Sequence, residues 1–458
     1  MMNKEDPKIL ILTRGAWRDD NNSGNTFTNL FGGWEKDRIA NLYVSPELPD
    51  NSVCAKYYQI NDRMLLNNIL KGGMAGREID YSRLQSGQIT QAYDNKRERK
   101  IYDLARIYRL QIFFAVREML WKTARWKNES LYAFLKDFSP DVIFAPLYDC
   151  HYMHELTRYA AEVTGKKVVT MIWDDIYTYR QFSLSPIFWI NRFLLRKNIR
   201  KTMSICSRIY IMAPRQKEEY DRIFNIESRI LCKGGDFSRA PADKPSDSLP
   251  LKIVYTGNIF AGRWKTLTHI AGALKKINKQ GTKAQLFVYT QNPVSKRMKK
   301  GLVIPGTSFL MGGIPFSMVK QVLAESDIVV HAESLELRNR LLTRLSFSTK
   351  IVDYFESGRC ILAAGSREAA SIDYLVKNNA AIVVEGTKEI EPALRRLLEE
   401  PGLISEYGRR AWDCGRMNHD MNKIRSQLKQ DLRGMTEVSP SMVLMPGESG
   451  QLNFSKYG

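Results

Sequence analysis

The sequence predicts an α/β protein built from two doubly wound domains. Short apolar runs alternate with helical patterns along nearly all of its 458 residues. A segment rich in Pro, Ser and Asp, Asp236–Pro250, interrupts that alternation near the middle and reads as a linker. The length also exceeds what one core sustains, since single cores stop growing near roughly 250–300 residues.

The first run, Lys8–Thr13, enters a polar loop from Arg14 to Thr26 that contains Gly15, Ser23, Gly24 and Asn25 and opens a helix. In a parallel sheet such a loop lies at the carboxyl edge, where ligands bind. It lacks the spacing of a dinucleotide fingerprint, and a plain surface loop is the alternative. Further strands are expected at Ala40–Ser45, Lys56–Ile60, Asp141–Pro146, Lys167–Trp173 and Ile209–Ala213, giving an N-terminal domain over 1–235 and the linker over 236–250. Runs at Lys252–Thr256, Gln285–Thr290, Ser308–Met311, Ile328–Ala332, Cys360–Ala364 and Ala381–Val384 build a second domain over 251–415. A helix over 416–434, opening near Asn418-His419-Asp420, precedes a tail over 435–458 that holds Gly, Ser and Pro without periodicity.

The hydrophobic fraction of 44% is ordinary for a globular chain, and no window reaches the ~18 apolar residues of a membrane span. The N-terminus leads straight into a strand and does not read as a secretory signal. Six scattered cysteines without metal-ligand spacing suit a reducing cytoplasm. The net charge of +20 admits a nucleic acid, an anionic membrane surface or an acidic substrate as partner, and does not choose among them.

Two stretches of the second domain carry recognisable chemistry. In the first, from Ser346 to Gly365, Ser348 and Thr349 can cap the helix that follows, and Lys350 adds positive charge at its start. Such a helix start favours a phosphate. Asp353 lies one turn in, where a carboxylate can accept hydrogen bonds from ribose hydroxyls, and Gly358 ends the helix. An ordinary capped helix is the alternative. In the second, Lys252 to Leu267, a strand runs through Gly257 and Asn258 into a turn, then to Arg263 and Lys265 at a helix entrance.

Taken together, these stretches resemble the sugar-nucleotide site of GT-B glycosyltransferases, in particular the retaining bacterial enzymes of glycosyltransferase family 4. The Ser-Thr-Lys start is similar to that of capsular and exopolysaccharide glycosyltransferases. Aligning Gly358 and its strand places Asp353 on the second of the family's two acidic positions, the one that holds the ribose. The first falls on Leu345, with Glu333 or Glu336 as the candidate to stand in for it. The resemblance implies a GT-B fold, two Rossmann-like domains facing a central cleft, with the helix after the second domain returning to the first. It implies donor contacts from Gly257, Asn258, Glu333, Ser348, Thr349, Lys350 and Asp353, with Arg263 and Lys265 neutralising the diphosphate. The substrate would be a nucleoside diphosphate sugar, with no cofactor, no metal ion for the chemistry, and retention at the anomeric carbon. The Gly15–Asn25 loop would face the cleft.

Two segments combine basic and aromatic residues. Over 95–127, basic residues outnumber acidic ones ten to three along an expected long helix; over 180–201 there are six basic residues and no acidic one. Trp, Phe and Leu beside Lys and Arg suit a helix lying in a membrane interface, with Phe188, Trp189, Arg192, Arg196 and Lys197 as the contacts to an anionic surface. A helix covering the sheet with a solvated basic face is the alternative. Nucleic acid is not expected as a partner, because no binding module accompanies the pattern.

Candidate catalytic groups follow two N-domain strands. Asp149 and His151 succeed the strand from Asp141, and Asp174 succeeds the strand from Lys167. A carboxylate there could take a proton from an acceptor hydroxyl, with Arg263 and Lys265 stabilising the leaving diphosphate. Helix capping by Asp174-Asp175 and a structural role for His151 are the alternatives; His151 and His154 are spaced as metal ligands can be, but no metal site is expected. The reading is a hexosyltransferase-like enzyme on the cytoplasmic face of the cell membrane, acting on a lipid-linked or polysaccharide acceptor. A catalytically silent GT-B subunit and a sugar-nucleotide epimerase are the alternatives.

Overall fold

Apolar runs without alternation, such as Ile9-Leu10-Ile11-Leu12, are buried on both faces and assemble into two parallel sheets. The structure is a computed structural model that describes residues 5–80, 111–241 and 249–436. The first sheet contains β1 (Ile9–Thr13), β2 (Ile39–Tyr43), β3 (Lys56–Gln59), β4 (Arg77–Asp80), β5 (Val142–Phe144), β6 (Lys167–Ile172), β7 (Cys206–Ile211) and β8 (Arg229–Ile230). Its order is β4-β3-β2-β1-β5-β6-β7-β8, and only the β3–β4 pair is antiparallel. The second contains β9 (Leu251–Thr256), β10 (Ala284–Tyr289), β11 (Ser308–Gly312), β12 (Ile328–Ala332), β13 (Cys360–Ala364) and β14 (Ile382–Val384), in the order β11-β10-β9-β12-β13-β14. Strand order reverses between β1 and β5 in one sheet and between β9 and β12 in the other. The loops diverge at such points and leave a crevice beyond the carboxyl ends of the strands.

The edge strands β4 and β8 have no counterpart among the expected ones. β4 reads Arg-Glu-Ile-Asp and β8 is two residues long, so neither carries an apolar run. Charged, short edges guard unpaired backbone against foreign strands. β7 also begins earlier than expected, because Cys206 already pairs with Val168.

Helix Gly402–Asn418 runs on through Asn418, so the last helix starts at Met421 and ends at Thr436. It lies against the first domain: Arg425 Nε donates to the Asn29 carbonyl at 2.6 Å, Lys429 and Arg433 both pair with Asp6, and Tyr210 donates to Asp431 at 2.9 Å. Residues 242–248 of the linker and 437–458 of the tail lie outside the described residues. At the linker's start Phe237 is buried against Trp412, with ring centroids 5.0 Å apart.

The basic aromatic segments pack differently from the expected membrane contacts. Residues 81–110 lie outside the described residues, but helix Gln111–Thr123 covers the first sheet. There Trp121 is buried and stacked on Tyr152 at 4.7 Å, and Arg117 donates to Asp62 and to the Val44 carbonyl. In helix Pro186–Met203, Arg192 turns inward and donates to the carbonyls of Asp175, Ile176 and Thr178. Arg196 is held between the Tyr177 and Tyr179 rings, at 4.2 and 3.9 Å. Phe188 and Trp189 are half-buried, with the indole bonded to the Ser183 carbonyl. Of the five expected contacts only Lys197 is exposed, because the preceding loop turns its carbonyls toward the two arginines. The exposed apolar stripe consists instead of Ile187, Ile190, Phe193 and Leu194. Among the described residues no helix is long and apolar enough to cross a membrane.

Two segments that join the domains are paired with each other at the seam. The Gly235 amide donates to the His419 carbonyl at 2.8 Å, and the Met421 amide donates to the Gly235 carbonyl at 3.0 Å. A Cβ on neighbouring Gly234 would lie 2.4 Å from Met421 Cα, a backbone atom that cannot step aside cheaply. Gly234→Ala is therefore expected to destabilise the protein by about 1–3 kcal/mol, measured by urea unfolding.

Candidate functional site between the two sheets

At the switch point of the second sheet, the loop after β9 faces the end of β12. Gly257 has φ +117°, and a Cβ there would meet Lys350 Nζ at 2.5 Å, so glycine is what admits the lysine. Asn258 shapes the turn, its side chain accepting from the Phe260 amide at 2.7 Å. Gly262 then caps helix Arg263–Ile277, whose first turn has Arg263 and Lys265 and no acidic residue. Cations beside a helix N-terminus reinforce its positive end, which is unfavourable unless anions face it. Glu333, just past β12, accepts two bonds from Arg263 Nη2 at 3.0 and 3.1 Å, and Glu336 pairs with Lys265. Burial alone would raise the Glu333 pKa, but Arg263 overrides it and holds the carboxyl below its ordinary value. Among the described residues, Arg263 Nη1 and Nε have no partner.

Helix Lys350–Ser357 follows on the same edge. No side-chain cap forms at its start: Thr349 is already in helical conformation, and the Ser348 amide donates to Ser371 Oγ at 2.9 Å. Lys350 bends back over the Tyr255 ring, 4.7 Å from its centroid, and donates to the Thr256 carbonyl at 3.0 Å. Burial, with Arg263 beside it, pushes this ammonium down to about 7. Asp353 accepts from Lys233 of the first domain at 2.5 Å through Oδ1. Leu345, at the family's first acidic position, is a buried core residue.

Asp174, past the end of β6, reaches across the cleft and accepts from Ser346 Oγ at 2.5 Å. It is open to the cleft yet ringed by protein, and that surrounding, together with the Asp149 charge, raises its pKa. Arg263 acts on it in the opposite direction, which puts the two groups in one electrostatic neighbourhood. At the switch point of the first sheet Arg14 pairs with Asp149 at 2.8 Å. The cleft thus gathers Arg14, Asp149 and Asp174 from one domain with Arg263, Glu333 and Lys350 from the other.

Three expectations fare differently. His151 opens helix His151–Thr164, where Glu118 accepts from its amide; its ring nitrogens meet Asn191 and Asn198 at 3.2 and 3.3 Å, and no contact to the cleft ion pairs is seen among the described residues. His154 is buried against the Tyr148 carbonyl and Thr202, so both of its nitrogens are spent. Among the described residues no group of three or more His, Cys, Asp or Glu could hold a metal ion. Of the N-domain loop, Ser23, Gly24 and Asn25 lie within helix Asn22–Phe31. Gly24 is there for close packing: a Cβ would fall 2.0 Å from the Arg18 carbonyl oxygen. Gly15 stays in the loop, its carbonyl bonded by Thr13.

The residues that lock the cleft were not anticipated. Arg344 is buried and donates to both Glu219 oxygens, at 2.5 and 2.7 Å, and to Asp175 at 3.4 Å. His331 on β12 is buried beside Glu333, 3.6 Å away, and burial lowers its pKa to about 4, so it stays neutral. A histidine within Ile328-Val-Val-His-Ala was a visible signal; nothing local marks Arg344.

No protein-family model matches the chain, and no curated protein does. Solved structures similar to it include Anabaena HepE (Alr3699) in complex with UDP-glucose, 12% identical at a TM-score of 0.59, covering 93% of this chain and 100% of that one. Sucrose-phosphate synthase from Thermosynechococcus elongatus is 10% identical at a TM-score of 0.61, covering 94% and 100%. α,α-Trehalose 6-phosphate synthase from Burkholderia multivorans is 10% identical at 0.57, covering 93% and 98%. The architecture they share with this chain is the GT-B fold.

Removing Arg344 takes the buried counter-charge from Asp175 and leaves Glu219 with the more distant, exposed Arg180 at 3.9 Å. Arg344→Met is expected to cost about 3–5 kcal/mol by urea unfolding, the range for breaking a buried ion pair from one side.

Proposed function

We infer that the protein is a glycosyltransferase that moves a sugar from a nucleoside diphosphate sugar to an acceptor bound on the first domain. The observation that carries this reading is the Arg263–Glu333 pair with Lys350 at the β9/β12 switch point, facing Asp174 across the cleft. Arg263 can keep Glu333 through Nη2 and offer its remaining N–H groups to a diphosphate. Lys350 swings from the Thr256 carbonyl to the same oxygens, and the helix N-terminus at Arg263 adds its dipole. These groups stabilise charge that grows as the glycosidic C–O bond breaks. Asp353 offers Oδ2 to the ribose, and Asp174, its pKa raised, is suited to take a proton from the acceptor hydroxyl. That Anabaena HepE was crystallised with UDP-glucose supports a uridine nucleotide as the first donor to test. By the resemblance, transfer retains the anomeric configuration.

The acceptor in this reading is lipid-linked or a nascent polysaccharide at the cytoplasmic membrane face. Its support is the exposed stripe Ile187, Ile190, Phe193 and Leu194, with Phe182 and Leu184 before it and Lys197 and Lys201 beside it.

Titration with nucleoside diphosphates, followed by a transfer assay, tests the central claim. Arg263→Gln should weaken binding at least ~tenfold, as expected for losing a charged hydrogen bond; a wild-type protein that binds none of them would overturn the reading. The diphosphate prefers the charged ammonium of Lys350, so affinity should fall as pH rises above about 7, by up to ~tenfold per pH unit until the bound-state pKa is reached. Lys350→Arg should flatten that slope. For the membrane face, Ile190→Ser with Phe193→Ser should shift the protein from the pellet to the supernatant when sedimented with phosphatidylglycerol vesicles.

A further inference from the structure

An open cavity of about 530 Å³ lies at the opposite edge of the first sheet, between the amino ends of β6–β8 and helix Met421–Thr436. Its volume falls within the roughly 300–1,000 Å³ of small-molecule sites. Lys167, Arg208 and Arg229 line it, with Asp431 as the opposing carboxylate.

Accounting for hydrogen bonds leaves one cation over. Asp431 is already engaged: Arg229 and Gln427 donate to Oδ1, and Tyr210 donates to Oδ2. Lys167 donates to the Met435 carbonyl at 2.8 Å, where it answers the negative end of the helix and keeps two further N–H groups. Arg208 has no ion pair among the described residues, and its Nε is buried without any partner. An arginine without a counter-charge in such a wall can meet an anion through its two terminal nitrogens. Exposed Gln430 and Ser207 add neutral hydrogen-bonding groups to the wall.

We propose that this cavity binds a small phosphomonoester, with its phosphate on Arg208 and the remainder against Ser207 and Gln430. The ligand would touch both the first sheet and the helix that returns from the second domain, so its binding reports on that helix's docking. This site is separate from the cleft and does not depend on the function proposed for it.

The test is calorimetric titration of the full chain with inorganic phosphate, glycerol 3-phosphate and glycerol. Wild type and Arg263→Gln should bind glycerol 3-phosphate alike, and glycerol should not bind. Arg208→Gln should lose at least ~tenfold in affinity, Arg208→Lys should recover part of it, and Gln430→Glu, an exposed change that leaves Arg208 in place, should weaken binding by repulsion. Loss of binding in Arg263→Gln with none in Arg208→Gln would assign the phosphate to the cleft and overturn the proposal. So would equal binding by all variants, or no phosphate binding by a wild-type chain shown to be folded by circular dichroism.

Discussion

A single buried guanidinium crosses the seam between the domains, and the geometry of the cleft depends on it. Arg344 engages Glu219 and Asp175 of the first domain; two residues on, Ser346 holds Asp174; a few residues further, helix Lys350–Ser357 begins. The anchor, the partner of Asp174 and helix Lys350–Ser357 therefore lie in one short stretch of chain. Breaking such a bridge from one side is costly, because it leaves a buried carboxylate short of its counter-charge.

The two switch points share a chemical pattern. In each, an arginine from the loop after the first strand meets a carboxylate from the loop after the strand across the reversal: Arg14 with Asp149, and Arg263 with Glu333. The common cause is topological, since those loops alone diverge and leave room for two side chains between them. Pairing orients both arginines. A diphosphate arriving at Arg263 would then find the guanidinium already placed, so little ordering remains to be done at that moment.

Much of this was legible in the sequence because the signals are local. The buried strands announce themselves as apolar runs; Gly257 directly follows β9, and Arg263 and Lys350 each open the helix that the sequence places there. The misses are long-range. Lys233 meets Asp353 across 120 residues and Arg344 meets Asp175 across 169, and no periodicity records such partnerships. Charge counting likewise marked Arg192 and Arg196 as surface cations, yet a long side chain can turn its head into a neighbouring loop as readily as into solvent. The expected cap at Ser348–Thr349 failed for a local reason: the backbone there is already turning, so a hydroxyl has no extended N-cap position to occupy.

The paired crossing at Gly235 and His419–Met421 has a mechanical meaning. Two backbone segments, tied to each other by two N–H···O hydrogen bonds, run side by side at the seam. Neither segment can slide past the other without breaking both bonds, so the start of the linker and the start of the last helix keep one register at the seam.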